Sequence, residues 1–234
     1  MHNTLERTYD AFYHERTAFH VYPVEFVVRA FLGSYPRLHN KDRDYREKNV
    51  LDLGCGDGRN MPLLSNLGMH VHGVEISESI CDLTRGRMKS LGVDAEIRVG
   101  RNRAIPFEDR RFDELLACHA CYYVDPGTTF RDNLLEIARV LAPGGRFVFS
   151  APTPSTYILR DAVDLGDGHL EVANDPYGLR NGYVLKCFAD EDSIAGGLSP
   201  YFDDFAIGCC RNDFWGIEEH VWTVVCRRTE CPAA

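Results

Sequence analysis

Between about residues 48 and 151, short apolar runs alternate with segments of helical periodicity, the signature of successive strand–helix–strand units around a parallel sheet. The strand-like runs cover residues 49–53, 70–76, 95–99, 112–118 and 146–150, each bounded by glycine, proline or charge. Residues 60–67 and 77–91 read as helices that stop at Gly68 and Gly92, where a left-handed residue can end the helix. The clearest periodicity runs over residues 128–141. There Phe130, Leu134, Ile137, Ala138 and Leu141 form one apolar stripe, and Pro143-Gly144-Gly145 is expected to terminate the helix.

The flanks break this rhythm. Residues 9–32 mix aromatic residues with helix formers and read as an N-terminal helical cap, followed by a charged stretch over residues 40–48. After Ala151, proline, glycine and polar residues dominate as far as Gly182, which predicts a long loop or insertion suited to substrate recognition. Residues 183–188, a short helix near 190–201, and strand-like runs at 205–210 and 219–227 complete the chain. The last two runs are close enough in sequence for antiparallel pairing.

Composition narrows the setting. The 234 residues, 44% hydrophobic and 26% charged, suit one α/β domain with a continuous core. A formal net charge of -9, from 26 basic and 35 acidic residues, repels a phosphate backbone and argues against nucleic acid as a partner. The N-terminus lacks the apolar core of a signal peptide, and no stretch approaches the roughly 18 apolar residues of a membrane span. The nine cysteines are odd in number and several lie in apolar runs, which fits reduced thiols and a cytoplasmic setting without a membrane partner.

The chemistry begins at Val50-Leu51-Asp52-Leu53-Gly54-Cys55-Gly56-Asp57-Gly58-Arg59-Asn60. A chain leaving a buried strand and turning sharply into a helix needs residues without a β-carbon where its backbone approaches a ligand. The free amides at such a helix N-terminus favour a negative group, either a pyrophosphate or a carboxylate. A dinucleotide fingerprint requires G-x-G-x-x-G, and here Arg59 stands at its third glycine while the spacing is G-x-G-x-G, which disfavours a nicotinamide cofactor. Glu75 follows about 20 residues beyond the loop, at the end of the second strand, where a carboxylate can accept ribose hydroxyl protons.

With Asp52 before it, the glycine run resembles the first motif of the class I S-adenosylmethionine-dependent methyltransferases, and Glu75 stands at that family's ribose-binding acid. Gly100-Arg101-Asn102-Arg103-Ala104-Ile105-Pro106-Phe107 is similar to the family's adenine-binding stretch. Arg111-Phe112-Asp113, Ala117-Cys118-His119-Ala120-Cys121-Tyr122-Tyr123-Val124 and the run Leu135 to Gly145 match its fourth strand and following helix. Arg101 departs from the pattern: many relatives have an aspartate there, and arginine has only donors. The resemblance implies an α/β, Rossmann-like three-layer sandwich. Its mostly parallel seven-stranded sheet would carry an antiparallel C-terminal hairpin beneath an N-terminal helical cap. It divides the single domain into cap (1–47), cofactor-binding core (48–151), substrate-recognition insertion (152–182) and C-terminal strands (183–234). It also implies S-adenosylmethionine as cofactor, S-adenosylhomocysteine as product, and Asp52, Gly54, Cys55, Gly56, Asp57, Glu75, Ile76, Arg101, Asn102 and Cys118 as the residues around it.

For a hydroxyl acceptor a base must remove a proton, and His119, at the end of the fourth strand, is the candidate; packing against the cofactor is its other reading. Tyr9, Tyr13, Arg16 and His20 on the cap, Tyr123, and Tyr157, His169, Tyr177 and Arg180 in the insertion are candidate acceptor contacts. Cys118, His119 and Cys121, with Cys209 and Cys210, would be a zinc set only if the fold joined them, since no second C-x-x-C is present; no metal is expected. The expected reaction is O-methylation of a small sugar-like, anionic or secondary metabolite by a monomer or homodimer. Nitrogen or carbon acceptors, a transfer RNA or protein acceptor, and a silent cofactor-binding module are the alternatives. Asn181-Gly182-Tyr183, Ser199-Pro200-Tyr201-Phe202 and Phe214-Trp215-Gly216-Ile217 look like the tail of small bacterial methyltransferases found with surface-glycan genes.

Overall fold

The computed structural model describes residues 8–13, 21–38 and 44–230. Residues 8–13 are helical, and the first complete helix is α1, Glu25–Leu32. A seven-stranded sheet follows, built from β1 (Asn49–Leu53), β2 (His70–Glu75), β3 (Ala95–Val99), β4 (Phe112–Ala117), β6 (Leu141–Pro152), β10 (Phe202–Phe214) and β11 (Ile217–Arg228). Its spatial order is β10-β11-β6-β4-β1-β2-β3. The five strands from β6 to β3 run parallel, while β11 is antiparallel to both β6 and β10. This is the fold class expected from the sequence.

Alternation along the buried strands distributes the core over both faces of the sheet. Leu51, Leu115, Phe147 and Phe149 pack with Leu134 and Ile137 of α4 (Phe130–Val140) and with Ile194 and Leu198 of α5 (Glu191–Leu198). Their neighbours Val50, Leu116 and Val148 turn to the other face, with Val71. There they meet Phe31 of α1, Leu64 of α2 (Met61–Asn66), and Cys81 and Met88 of α3 (Glu78–Ser90). Both faces are therefore covered, as a parallel sheet requires.

Three expectations are corrected. Pro143-Gly144-Gly145 does not end the helix: α4 stops at Val140, held at its start by a Thr129/Asp132 capping box, and the glycine pair lies inside β6. Residues 152–182 are not a structureless loop. They contain a short turn of 3-10 helix (Tyr157–Leu159), β7 (Val163–Asp164) and β8 (His169–Glu171). The latter two join β9 (Val184–Lys186) and β5 (Tyr123–Val124) in a second, four-stranded antiparallel sheet of order β5-β9-β8-β7. The C-terminal strands are also longer than their apolar runs, meeting at a two-residue turn in which Trp215 and Gly216 both have positive φ, 53° and 92°, as hairpin twist favours.

The helical residues 8–13 are fixed to the core: Ser77 Oγ donates to Asp10 Oδ1 at 2.6 Å and accepts from Ile80 N at 3.2 Å as the N-cap of α3. The C-terminal ends of the parallel strands, the second sheet and this segment thus converge on one side of the molecule, where open α/β sheets place ligands.

Candidate active site

A cavity of about 330 Å³ occupies that convergence. Its floor is the turn after β1, where Gly54, Gly56 and Gly58 have φ of 68°, 53° and 75°, a region L-residues avoid. Gly54 and Cys55 donate backbone N–H bonds to Val74 O at 2.9 and 3.1 Å, which ties the turn to β2. A β-carbon on Gly54 would approach Ala120 Cβ to 2.5 Å, and one on Gly56 would meet the Tyr13 hydroxyl at 2.4 Å. Burial, with Glu75 and Asp57 nearby, pushes the Tyr13 phenol up, so this hydroxyl stays protonated over the turn.

Three buried acids surround the turn. Glu75 accepts from Gly56 N at 3.1 Å and from Ile76 N at 2.6 Å; burial raises its carboxyl while these amides pull it back. Asp57 is held by Arg87, Oδ2 to Nη1 2.9 Å. Asp52 Oδ2 has no hydrogen-bond partner among the described residues. Burial, and then the charges of Glu75 and Asp57, push the Asp52 carboxyl up to about 7. A buried acceptor without a donor costs free energy until a ligand supplies one. An unpartnered buried carboxylate beside a second buried acid suits a group bearing an ammonium and hydroxyls together.

The opposite wall starts where β4 ends. His119 has φ 54°, unusual for a residue with a β-carbon, and its N–H is caught by Ser150 Oγ of β6 at 2.9 Å. Its Nε2 lies 3.9 Å from Glu219 Oε1 of β11, and its side chain is 35% exposed, toward the cavity. Burial holds the imidazole below its ordinary pKa; Glu219 works against this, while Arg180 and Arg59 reinforce it. Asn102 Nδ2 donates to Ala120 O at 2.9 Å and Tyr123 O at 3.2 Å, bracing the segment after His119. Arg101 and Arg103 both engage Asp125, at 3.2 and 2.9 Å.

The roof joins the N-terminal helix to the second sheet. Tyr9 and Tyr123 share a hydroxyl–hydroxyl bond of 3.0 Å, and Tyr183 meets both rings edge-on. Arg180 Nε donates to Tyr123 Oη at 3.2 Å, and its Nη1 donates to Asp175 Oδ2 at 3.2 Å and Tyr157 Oη at 3.4 Å. Asp175, fully buried, also accepts from the amides of Leu179 and Arg180, both at 3.0 Å.

The residues expected at the site are thus largely gathered. Gly54, Cys55, Asp57, Glu75, Ile76, Arg101, Asn102, Cys118, His119, Tyr9, Tyr13, Tyr123 and Arg180 line the cavity. Asp52 and Gly56 belong to the strand and turn that form its floor. Tyr157 reaches it only through Arg180, and Tyr177, 57% exposed, rests edge-on against Tyr157. His169 pairs with Lys186 in the second sheet and is not among the lining residues. Arg16 and His20 lie outside the described residues. Among the described residues no group of three potential ligands could hold a metal ion, and the eight described cysteines are free thiols. Sequence reasoning missed Asp125 and Tyr183 on the lining and Glu219 behind His119. It used Arg59 only to exclude a dinucleotide. For Glu219 the only signal was its strand-like surroundings, because strand pairing, not sequence distance, brings it to His119.

Residues 51–149 match the family model described as a methyltransferase domain. The matched stretch resembles a class I S-adenosylmethionine-dependent methyltransferase domain. The chain is 28% identical over 136 residues to a sterol 4-C-methyltransferase of Caenorhabditis elegans, covering 56% of this chain and 40% of that protein. It is 33% identical over 108 residues to a demethylmenaquinone methyltransferase of Tropheryma whipplei, covering 45% and 43%. It therefore spans about two-fifths of the length of these relatives. An S-adenosylmethionine-dependent methyltransferase of Methanosarcina mazei shares the fold with a TM-score of 0.64 at 20% identity, over 84% of this chain and 98% of that one. To an S-adenosylmethionine cofactor the floor would offer the unpartnered Asp52 carboxylate and Glu75, whereas the amides of Gly54, Cys55, Gly56 and Gly58, expected to be free, are bonded to Val74 O, Glu75 Oε1 and Cys55 O.

Proposed function

We propose that the chain transfers a methyl group from S-adenosylmethionine to a hydroxyl of a small molecule. When bound, the cofactor supplies a methyl group made electrophilic by its sulfonium and leaves as S-adenosylhomocysteine. The chain's own residues orient the acceptor, exclude water and take up the hydroxyl proton. The reading rests on His119: an imidazole kept neutral by burial, anchored through its backbone to Ser150 and open to the cavity, is a proton acceptor at neutral pH. Glu219 Oε1, 3.9 Å from Nε2, stabilises the imidazolium that forms. Tyr9, Tyr13, Tyr123 and Tyr183 wall the acceptor side with aromatic surface. Two of the relatives act, by name, on a sterol and on demethylmenaquinone, both small organic molecules, which supports a small acceptor here.

The cofactor half is tested by calorimetry with S-adenosylhomocysteine, where saturable binding is expected and its absence refutes the reading. The acceptor half is tested with labelled S-adenosylmethionine against separate metabolite and RNA fractions, with label expected in the metabolites. In His119→Ala, turnover at saturating acceptor should fall by about a hundredfold or more while S-adenosylhomocysteine binds as before. Unchanged turnover would rule out a base.

A further inference from the structure

The second sheet does more than roof the cavity: it delivers one guanidinium to it in a fixed pose. Arg180 is 23% exposed at its side chain, and removing a cation this far from water is costly unless the surrounding structure supports it. That support is explicit. Asp175 grips Nη1 from behind and the Arg180 amide at the same time, while the hydroxyls of Tyr123 and Tyr157 accept from Nε and Nη1. The fork is held before any ligand arrives, and its remaining nitrogen, Nη2, donates to no described residue.

The charges facing the cavity sharpen the point. Asp57 is committed to Arg87, Asp125 to Arg101 and Arg103, and Glu75 to two backbone amides. Around His119 the charged neighbours are Glu219 from β11, Arg59 from the turn before α2 and Arg180 from the turn before β9. Arg59 follows the glycine turn directly, is exposed and donates to Tyr22 O at 3.0 Å, which leaves Arg180 as the cation held in place beside His119. With Nε and Nη1 taken, Nη2 is the donor left for an oxyanion, and charge-assisted bonds from a preorganised guanidinium are how proteins hold carboxylates and phosphates.

We propose that Arg180 is the anchor of an oxyanion subsite, and that the acceptor is a small molecule carrying a carboxylate or phosphate as well as the group to be methylated. This rests on the methyltransferase reading for the word acceptor only; the anion site itself stands on Arg180 and Asp175. Glu219, 3.9 Å from His119 Nε2, repels such an anion and so favours its lodging at Arg180.

The test follows the assigned His119 imidazole by nuclear magnetic resonance, with and without S-adenosylhomocysteine. Sulfate or acetate is titrated at ionic strength held constant with chloride. Saturable movement of the His119 titration to higher pH is expected. A response to acetate points to a carboxylate and a response to sulfate to a tetrahedral oxyanion; no saturable response to either overturns the proposal. Arg180→Gln should weaken the apparent anion affinity by about tenfold or more, and Arg180→Lys should restore part of it. Melting curves verify that each variant is folded, and Arg59→Gln, at an exposed position, serves should Arg180→Gln not fold. Persistence of the full response in Arg180→Gln, or its loss in Arg59→Gln with S-adenosylhomocysteine bound, would place the anion elsewhere. Failure of the wild type to bind S-adenosylhomocysteine, by contrast, counts against the methyltransferase reading and leaves the anion titration interpretable by itself.

Discussion

Asp52 shows what a single side chain reports about a missing ligand. Its carboxyl is raised to about 7 by burial, where an unfolded chain has it near 3.8. A folded state that holds its proton more tightly is stabilised at low pH, and that contribution is lost as pH climbs from the unfolded value through about 7. Asp52→Asn mimics the protonated form. In melting experiments without ligand it should match the wild type near pH 4 and exceed it at pH 8, while binding S-adenosylhomocysteine more weakly. Equal pH dependence of the two proteins would show that Asp52 is not the titrating group. The sequence disclosed residue types at the right strand ends but not their partners. Asn102 and Arg101 were legible as cavity residues, whereas the bonds that occupy them, to Ala120 O and Asp125, come from a turn about 20 residues away.

At the scale of elements, the parallel core was legible because a strand covered on both faces is a nearly unbroken apolar run between punctuating residues. The second sheet was not. Its strands are two or three residues long, too short for periodicity to emerge from a stretch rich in glycine and aspartate. The start of β6 was hidden by Pro143-Gly144-Gly145, whose composition signals a turn; the strand is irregular there, with Gly144 at φ 73° and a shift in its register with β4. Two substitutions probe the elements. Gly54→Ala combines a positive φ with a 2.5 Å approach to Ala120 Cβ; about 1–2 kcal/mol of strain plus the clash should appear as lowered denaturant midpoint and lost cofactor binding. Glu114 of β4 and Arg146 of β6 face each other across the sheet at 2.7 Å, 4% and 5% exposed, with the Tyr45 hydroxyl 3.1 Å from the guanidinium. Glu114→Ala leaves that cation buried without its acid and should cost about 3–5 kcal/mol in urea unfolding.

Over the whole molecule, the acidic balance and the glycine turn point the same way. A surface with net charge -9 gains little from counterion release on a polyanion, so transfer RNA at physiological salt should show no saturable binding in fluorescence anisotropy; saturation would shift the acceptor class. Among the described residues no helix is long and apolar enough to cross a membrane. The glycine-turn floor of the cavity was readable from one stretch of chain, while its opposite wall and roof are assembled from the N-terminal helix, the end of β4, the second sheet and β11, which only folding unites. The turn carrying Arg180 has a property with longer reach. Its ends are joined by Val172 N to Tyr183 O at 2.9 Å and Gly182 N to Val172 O at 2.8 Å, and Asp175 knots its interior. Such a self-closed cassette can be exchanged between relatives or randomised in a library while the glycine turn is left intact. On the proposed reading, rewriting residues 172–183 changes which acceptor is held and leaves the glycine turn as it is.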